Sequence, residues 1–457
     1  MKKRSIAILL TLALVLSLCA VTAAAGEQAE EKAENQTEET AGAENGETAE
    51  GETGEETEEP EPPSLAGPDA EPETDPKTGE VIAAATIEPD AVGTVSYANV
   101  ERRMRENNLQ LLILEESVLT LEEIDYDKTY EDLRKQLNEL AQTQWMLVLM
   151  GQSESDAYKQ LDKAYDAVRE QFDAIKDGEM QQDNADTIRQ LNNLEDQIVM
   201  AGEALYVAVA ALDIQEDSLE RQLAALDRTC EEMDLRYELG QISALQLSEV
   251  KSGRVSLASG LETLRMNIQN YKFQLEMLIG AEQTGAIQLG ELPEVTDKQL
   301  EAMDLEKDLE AAKEKSYELY DAAQTLEDAR DDYKEAGDNY GYNESKYEFK
   351  AAKHTWNAAQ YTYNDTVQNY ELKFRTLYSQ VKDYKQILDA AKVALACEQS
   401  SYEAAELKYQ QGNISKNALL DAEDELRTAE EKVRSSANDL FSSYNTYCWA
   451  VQHGILN

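Results

Sequence analysis

The chain has 457 residues and a formal net charge of −50, with 42 Lys and Arg against 92 Asp and Glu. That balance removes the basic face that nucleic-acid binding requires, and 8 Pro and 5 Phe beside abundant Ala, Glu, Leu and Lys favour long helices over sheets. With 2 His and no C-x-x-C, H-E-x-x-H, G-x-G-x-x-G or G-x-x-x-x-G-K-S/T pattern, nothing in the sequence points to an enzyme, a cofactor or a metal site.

Met1 to Ala25 is read as a signal peptide. Lys2, Lys3 and Arg4 form the charged start, Ile6 to Ala20 the apolar core, and Ala23-Ala24-Ala25 a small-residue cleavage site. The apolar core is too short for a convincing transmembrane helix. Leu16-Ser17-Leu18-Cys19 is a poor lipidation signal, because Leu18 is too large for its position. Residues 26–80 are rich in Glu, Thr, Ala, Gly and Pro, with Lys32 and Lys77 as their only bases. Such a segment buries too little apolar surface to offset its ordering entropy, so a disordered acidic linker is expected.

After a transition over Val81 to Ser96, a helix is expected from Tyr97, with Val100, Met104, Leu109, Leu112 and Leu114 on its apolar face. Ile124 to Thr129 is a possible break. Helical composition returns from Tyr130 to about Gly178 and contains the apolar run Trp145-Met146-Leu147-Val148-Leu149-Met150, too short to span a membrane and without strand alternation. Lys176-Asp177-Gly178 reads as a turn. A seven-residue series follows: Leu191, Ile198, Leu205, Leu212, Leu219, Leu226 and Met233. Past Gly240 it continues through Leu247, Leu261, Ile268 and Leu275, with Arg254 interrupting, and closes at Leu278-Ile279-Gly280. No run beyond the signal peptide reaches the roughly 18 apolar residues of a spanning helix. Ala281 to Val295 reads as a loop in which Ile287 and Leu289 alternate like a short strand.

The second half repeats this plan. A helix is expected over Leu305 to Lys334, a polar, Tyr-rich break over Ala336 to Glu348, and then a long helix carrying Val367, Phe374, Val381, Leu388, Leu395, Tyr402 and Tyr409. Beyond Gly412 come Leu419, Leu426, Val433, Leu440 and Tyr447, each followed three residues later by a small residue: Ala422, Ala429, Ser436, Ser443 and Ala450. Large against small along one seam permits close helix packing.

The two long series are joined by matching turns. Arg236-Tyr237-Glu238-Leu239-Gly240-Gln241-Ile242-Ser243 recurs 172 positions later as Lys408-Tyr409-Gln410-Gln411-Gly412-Asn413-Ile414-Ser415. The glycines suit a left-handed helix end, Ser243 and Ser415 suit N-caps, and Gln246 completes a capping box with Ser243. Ile242 and Ile414 are placed to staple against Leu247 and Leu419. Each turn is therefore expected to be the tip of an antiparallel helical hairpin, and the two together an internal duplication, residues 81–295 and 296–457. Cys448 lies roughly 54 Å along its helix from the second tip, out of the ~7 Å reach a disulfide needs to Cys230 or Cys397. Buried free thiols are expected.

On these tips, on the closings Leu275 to Gly280 and Tyr447 to Leu456, and on the openings around Asn107-Asn108-Leu109 and Ser316-Tyr317-Glu318-Leu319, the sequence from Tyr97 onward resembles the TolC-like outer-membrane efflux protein family. The resemblance implies an all-α, long antiparallel coiled-coil protomer and a homo-oligomer, a trimer in the family. It also implies an efflux or export role in the cell envelope, with the tips meeting a periplasmic adaptor (membrane-fusion) protein coupled to an inner-membrane pump. It carries that contact onto Gly240, Gln241, Ile242, Ser243, Gly412, Asn413, Ile414 and Ser415. The departure is the membrane β-barrel. Spanning strands need about 9–11 alternating residues, whereas only Tyr340-Gly341-Tyr342 and Tyr347-Glu348-Phe349 offer fragments. The barrel is expected to be missing or vestigial, which opens a location on the outer side of the cytoplasmic membrane. The first half is longer, and its excess over Tyr130 to Asn184 is expected to form an added helical hairpin. A secreted coiled-coil scaffold or adhesin is the alternative function; an adaptor would need Val- and Gly-rich β segments that are absent.

Overall fold

A computed structural model describes residues 90–91 and 93–456. The expected signal peptide and acidic linker lie outside these residues. The described chain is all-helical apart from one two-residue bridge. In order it contains β1 (Thr94–Val95), α1 (Tyr97–Asn107), α2 (Leu109–Glu122), α3 (Tyr126–Leu149), α4 (Asp156–Lys176), α5 (Glu179–Glu238), α6 (Ala244–Leu278), β2 (Gln288–Leu289), α7 (Asp297–Ala302), α8 (Leu305–Lys315), α9 (Tyr317–Tyr340), α10 (Tyr347–Gln410) and α11 (Lys416–His453). The expected alternation at Ile287 to Leu289 becomes β2, which pairs in parallel with β1.

Several boundaries differ from the sequence reading. The first helix breaks at Asn108, and the helix expected over Leu305 to Lys334 breaks at Ser316 and runs on to Tyr340. Both residues take extended backbone angles, and each side chain caps the following helix. Leu109, assigned to the apolar face, is exposed because the break rotates the next helix, so that Leu111 is buried in its place beside the expected Leu114. The Tyr-rich break shrinks to Gly341–Lys346. Tyr347 and Phe349 open α10 rather than a strand, and both stretches that might have held membrane strands are helical hairpins, α3–α4 and α9–α10. Among the described residues three cysteines are free: Cys230 is buried and Cys448 half-buried, but Cys397 is exposed, since it points off the period-seven seam.

The long helices form a layer. α6 packs on α5, α5 on α11, and α11 on α10, leaving α6 and α10 as edges. α5 and α11 run antiparallel: Arg228, Arg221, Asp217 and Glu203 of α5 meet Asp424, Glu431, Arg434 and Asn445 of α11 in that order. Both tips therefore lie at one end. α5 is long and apolar enough to cross a membrane by length and composition. The sequence reading missed this because Glu203 and Asp213 interrupt the run. Here the helix is a core element: Val199, Tyr206 and Val209 are fully buried, and the Glu203 carboxylate accepts bonds from Tyr97 Oη (2.7 Å), Asn445 Nδ2 (2.9 Å) and Trp449 Nε1 (2.7 Å).

Away from the tips, each half closes on itself. Gly280 ends α6 against the α1–α2 joint, where an added Cβ would lie 2.4 Å from Asn107 Cβ, and Asn108 Nδ2 donates to Leu278 O at 3.0 Å. Gly454 ends α11 against the α8–α9 joint, where a Cβ would lie 2.4 Å from Ser316 N. The openings and closings singled out in the sequence thus meet in pairs. A buried tyrosine on one long helix of each half, Tyr206 on α5 and Tyr370 on α10, ties two chain segments together at this end. Tyr206 Oη lies 3.1 Å from Val95 O and 2.7 Å from Gly290 O, and Tyr370 Oη lies 3.0 Å from both Ala312 O and Gly454 O. Beyond α6, the buried Glu276 carboxylate gathers the amides of Gly285 (2.7 Å), Ala286 (3.1 Å) and Ile287 (3.1 Å) and the Thr284 hydroxyl (3.1 Å). Desolvation pushes its pKa up, but the Gly285 amide, the Thr284 hydroxyl and the Ile287 amide outweigh it and hold the carboxyl below its ordinary range.

Candidate functional site

The two tips have the same geometry. Gly240 has φ 71° and Gly412 φ 75°, the left-handed conformation that L side chains resist. Gly240 N donates to Tyr237 O at 2.9 Å and Gln241 N to Arg236 O at 2.8 Å; Gly412 N donates to Tyr409 O at 2.9 Å and Asn413 N to Lys408 O at 2.8 Å. These paired bonds are the Schellman arrangement, which satisfies carbonyls a helix end leaves open. Ser243 then caps α6 in a full capping box with Gln246, and Ser415 caps α11 by accepting from Ala418 N at 3.2 Å. Ile242, Leu247, Ile414 and Leu419 are all half-buried, as staples require.

Of the eight residues singled out, Gly240, Gln241, Ser243, Gly412, Asn413 and Ser415 are exposed at the tips, while Ile242 and Ile414 turn partly inward. A Cβ on either glycine would meet nothing within 4 Å. The structure also brings to the tips apolar residues that the sequence reading did not select: Leu235, Tyr237, Leu239 and Leu245 at the first, Leu407 at the second, all exposed. Their signal was available, since each is a large apolar residue off the period-seven seam.

The seam changes character as it nears the tips. The series residues Ile198 and Leu205 are buried, whereas Leu212, Leu219, Leu226 and Met233 are half-buried. Ion pairs take over: Arg228–Asp424 and Arg254–Asp227 bridge neighbouring helices, and Lys251 Nζ lies 2.7 Å from Asp234. Arg254, the apparent interruption of the apolar series, is there to reach Asp227. Among the described residues no group of His, Cys, Asp and Glu is placed to hold a metal ion.

No protein-family model matches the sequence, and no curated protein does. Among solved structures, the chain is similar to a membrane protein from Pseudomonas aeruginosa, with 13% identity, 78% of this chain and 89% of that one covered, and a TM-score of 0.47. The outer membrane protein VceC of Vibrio cholerae matches at 16% identity over 59% and 74% of the two chains, TM-score 0.40. The CmeC outer membrane channel of Campylobacter jejuni matches at 15% identity over 63% and 68%, TM-score 0.41.

Proposed function

We propose that the protein is an export component of the cell envelope: a helical conduit wall whose tips engage an adaptor protein linked to a membrane pump. The observation that carries the reading is the pair of turns with one hydrogen-bond geometry, side by side and exposed at one end of the layer. Plain connectors have no reason to match in sequence, glycine conformation and level. The halves 81–295 and 296–457 are, on this reading, duplicated repeats. Oligomer formation follows from the open edges. Exposed Val255, Met266 and Met277 of α6 recur at 11-residue spacing, which places them in one line along the helix, and α10 exposes Tyr361, Leu372 and Val393. Copies of the chain closing edge to edge would cover both lines. The location is the envelope, at the outer membrane or the outer side of the cytoplasmic membrane.

The test is co-purification with the adaptor encoded beside the protein. Gln241→Ala, Asn413→Ala and Gly412→Val should lose the adaptor while the helical circular-dichroism signal persists, the last at a cost of about 1–3 kcal/mol for the strained backbone. Unchanged capture in all three would reduce the tips to connectors and favour the scaffold or adhesin reading.

A further inference from the structure

The turn at the far end of the α3–α4 hairpin has features the conduit reading does not use. Tyr97, Arg105 and Tyr126 meet Glu203, Asp196 and Asn184 of α5 in that order, so the chain from α1 to α3 runs away from Gly240. α3, 24 residues long or about 36 Å, starts from that level and pairs with α4, and the hairpin ends at Gly151. This end is an ordered turn: Gly151 has φ 69°, its N lies 3.0 Å from Val148 O, Gln152 N lies 2.9 Å from Leu147 O, and Ser155 caps α4.

Along most of α3 the outward positions are charged, as at Glu131, Asp132, Arg134, Lys135 and Glu139. Over the last turn and a half they become Trp145, Met146, Val148, Leu149 and Met150, with Trp145 63%, Leu149 70% and Met150 68% exposed. No charge occurs between Glu139 and Glu154. A helix lying alongside a partner needs apolar residues recurring along one stripe. These instead cover about 200° of the circumference of α3 at its end, a broader cap than a side-on stripe and one suited to end-on entry into an apolar layer. A Trp with a polar edge among Met and Leu is also the composition of the membrane–water interface. The other hairpin, α9–α10, likewise runs away from the tips and exposes Tyr340, Tyr342 and Tyr347 at its turn.

We propose that the α3–α4 turn inserts Trp145, Met146, Val148, Leu149 and Met150 into the interface of a lipid bilayer. Entry is shallow, of the order of 5–10 Å, because Glu154 in the turn and Asp156 at the start of α4 lie beside the apolar end. These carboxylates also set the lipid preference. Insertion is driven by apolar burial, not by attraction to anionic headgroups, so neutral bilayers bind at least as well as anionic ones.

The experiment is flotation of the full chain with phosphatidylcholine vesicles, with and without phosphatidylglycerol, beside quenching by lipids brominated near the headgroup. Trp145 is the exposed tryptophan, since Trp449 is buried and Trp356 stacks on Tyr333. The double variant Leu149→Ser/Met150→Ser should lower partitioning at least tenfold with unchanged helical signal. Ile113→Ser, which removes an equally exposed apolar residue on α2, should leave it unchanged, and any contribution from the N-terminal region is common to all chains. Quenching of the wild type and equal or stronger binding to the neutral vesicles complete the expected result. Absence of wild-type quenching, equal loss in Ile113→Ser, or preference for anionic vesicles would overturn the proposal. So would a lipid-free change in oligomer size in the double variant, which would give the surface to a second copy.

Discussion

Gly412 and Gly454 sit at opposite ends of α11 and share one backbone conformation, φ 75° and φ 70°, yet their surroundings have nothing in common. A Cβ at Gly412 would meet open space, whereas at Gly454 it would lie 2.4 Å from Ser316 N, 2.5 Å from Ser316 Cα and 2.6 Å from Lys315 C. Gly240 and Gly280 repeat the contrast at the two ends of α6. One glycine of each pair turns the chain and the other lets two helix ends touch. The same division runs along the bundle. The closing end is packed around Tyr206, Tyr370 and Phe374, all fully buried, while the tip half is half-buried and joined by ion pairs worth at most about 1 kcal/mol each where exposed. Close packing is concentrated at the closing end, and the tips are held mainly by their own turns.

The sharpest way to break this comparison is to add one methyl group at the closing end. Gly454→Ala combines positive-φ strain with a clash against backbone that cannot rotate away, so a loss of about 3–5 kcal/mol is expected, measured by chemical denaturation. Gly280→Ala should be milder than Gly454→Ala, because one atom, Asn107 Cβ at 2.4 Å, crowds the added methyl group where three backbone atoms within 2.6 Å do at Gly454.

A smaller effect is expected at Glu276. Glu276→Gln places an amide group among the donors of Gly285, Ala286 and Ile287 and should cost about 1–3 kcal/mol. Because folding holds the Glu276 pKa below its ordinary value, the carboxylate's contribution is complete above the unfolded-state pKa of about 4.3 and is lost as pH falls through the folded-state value. The gap in melting temperature between wild type and Glu276→Gln should therefore be constant near pH 7 and narrow below about pH 4. A gap that widened in acid would show that the carboxylate is not the stabilising form.

The smallest effect belongs to the tip. Gly412→Ala should cost about 1 kcal/mol, strain alone with no clash. A cost matching that of Gly454→Ala would erase the difference between the two ends.

Much of the hairpin plan was legible in the residues. Period-seven apolar spacing dictates which face of α5, α6, α10 and α11 turns inward, and a glycine followed three residues later by serine dictates the turns, because both are local requirements of backbone geometry and helix capping. The α3–α4 hairpin was expected only from the greater length of the first half, and its turn at Gly151 was not singled out. The breaks at Asn108 and Ser316 were not. Neither residue is a strong helix breaker, and each takes an extended conformation where a distant glycine, Gly280 or Gly454, presses the joint. The tip-flanking Leu235, Leu239 and Leu407 were visible as residues but not as surface, since exposure depends on which neighbours the layer provides. The sequence by itself determined the helices, their inward stripes and their matched turns, all set within a few residues. Only the tertiary structure decided that α5 and α11 lie side by side, that opening and closing segments lock in pairs, and that the apolar run at Trp145 to Met150 is left uncovered, because each depends on contacts between residues far apart in the chain.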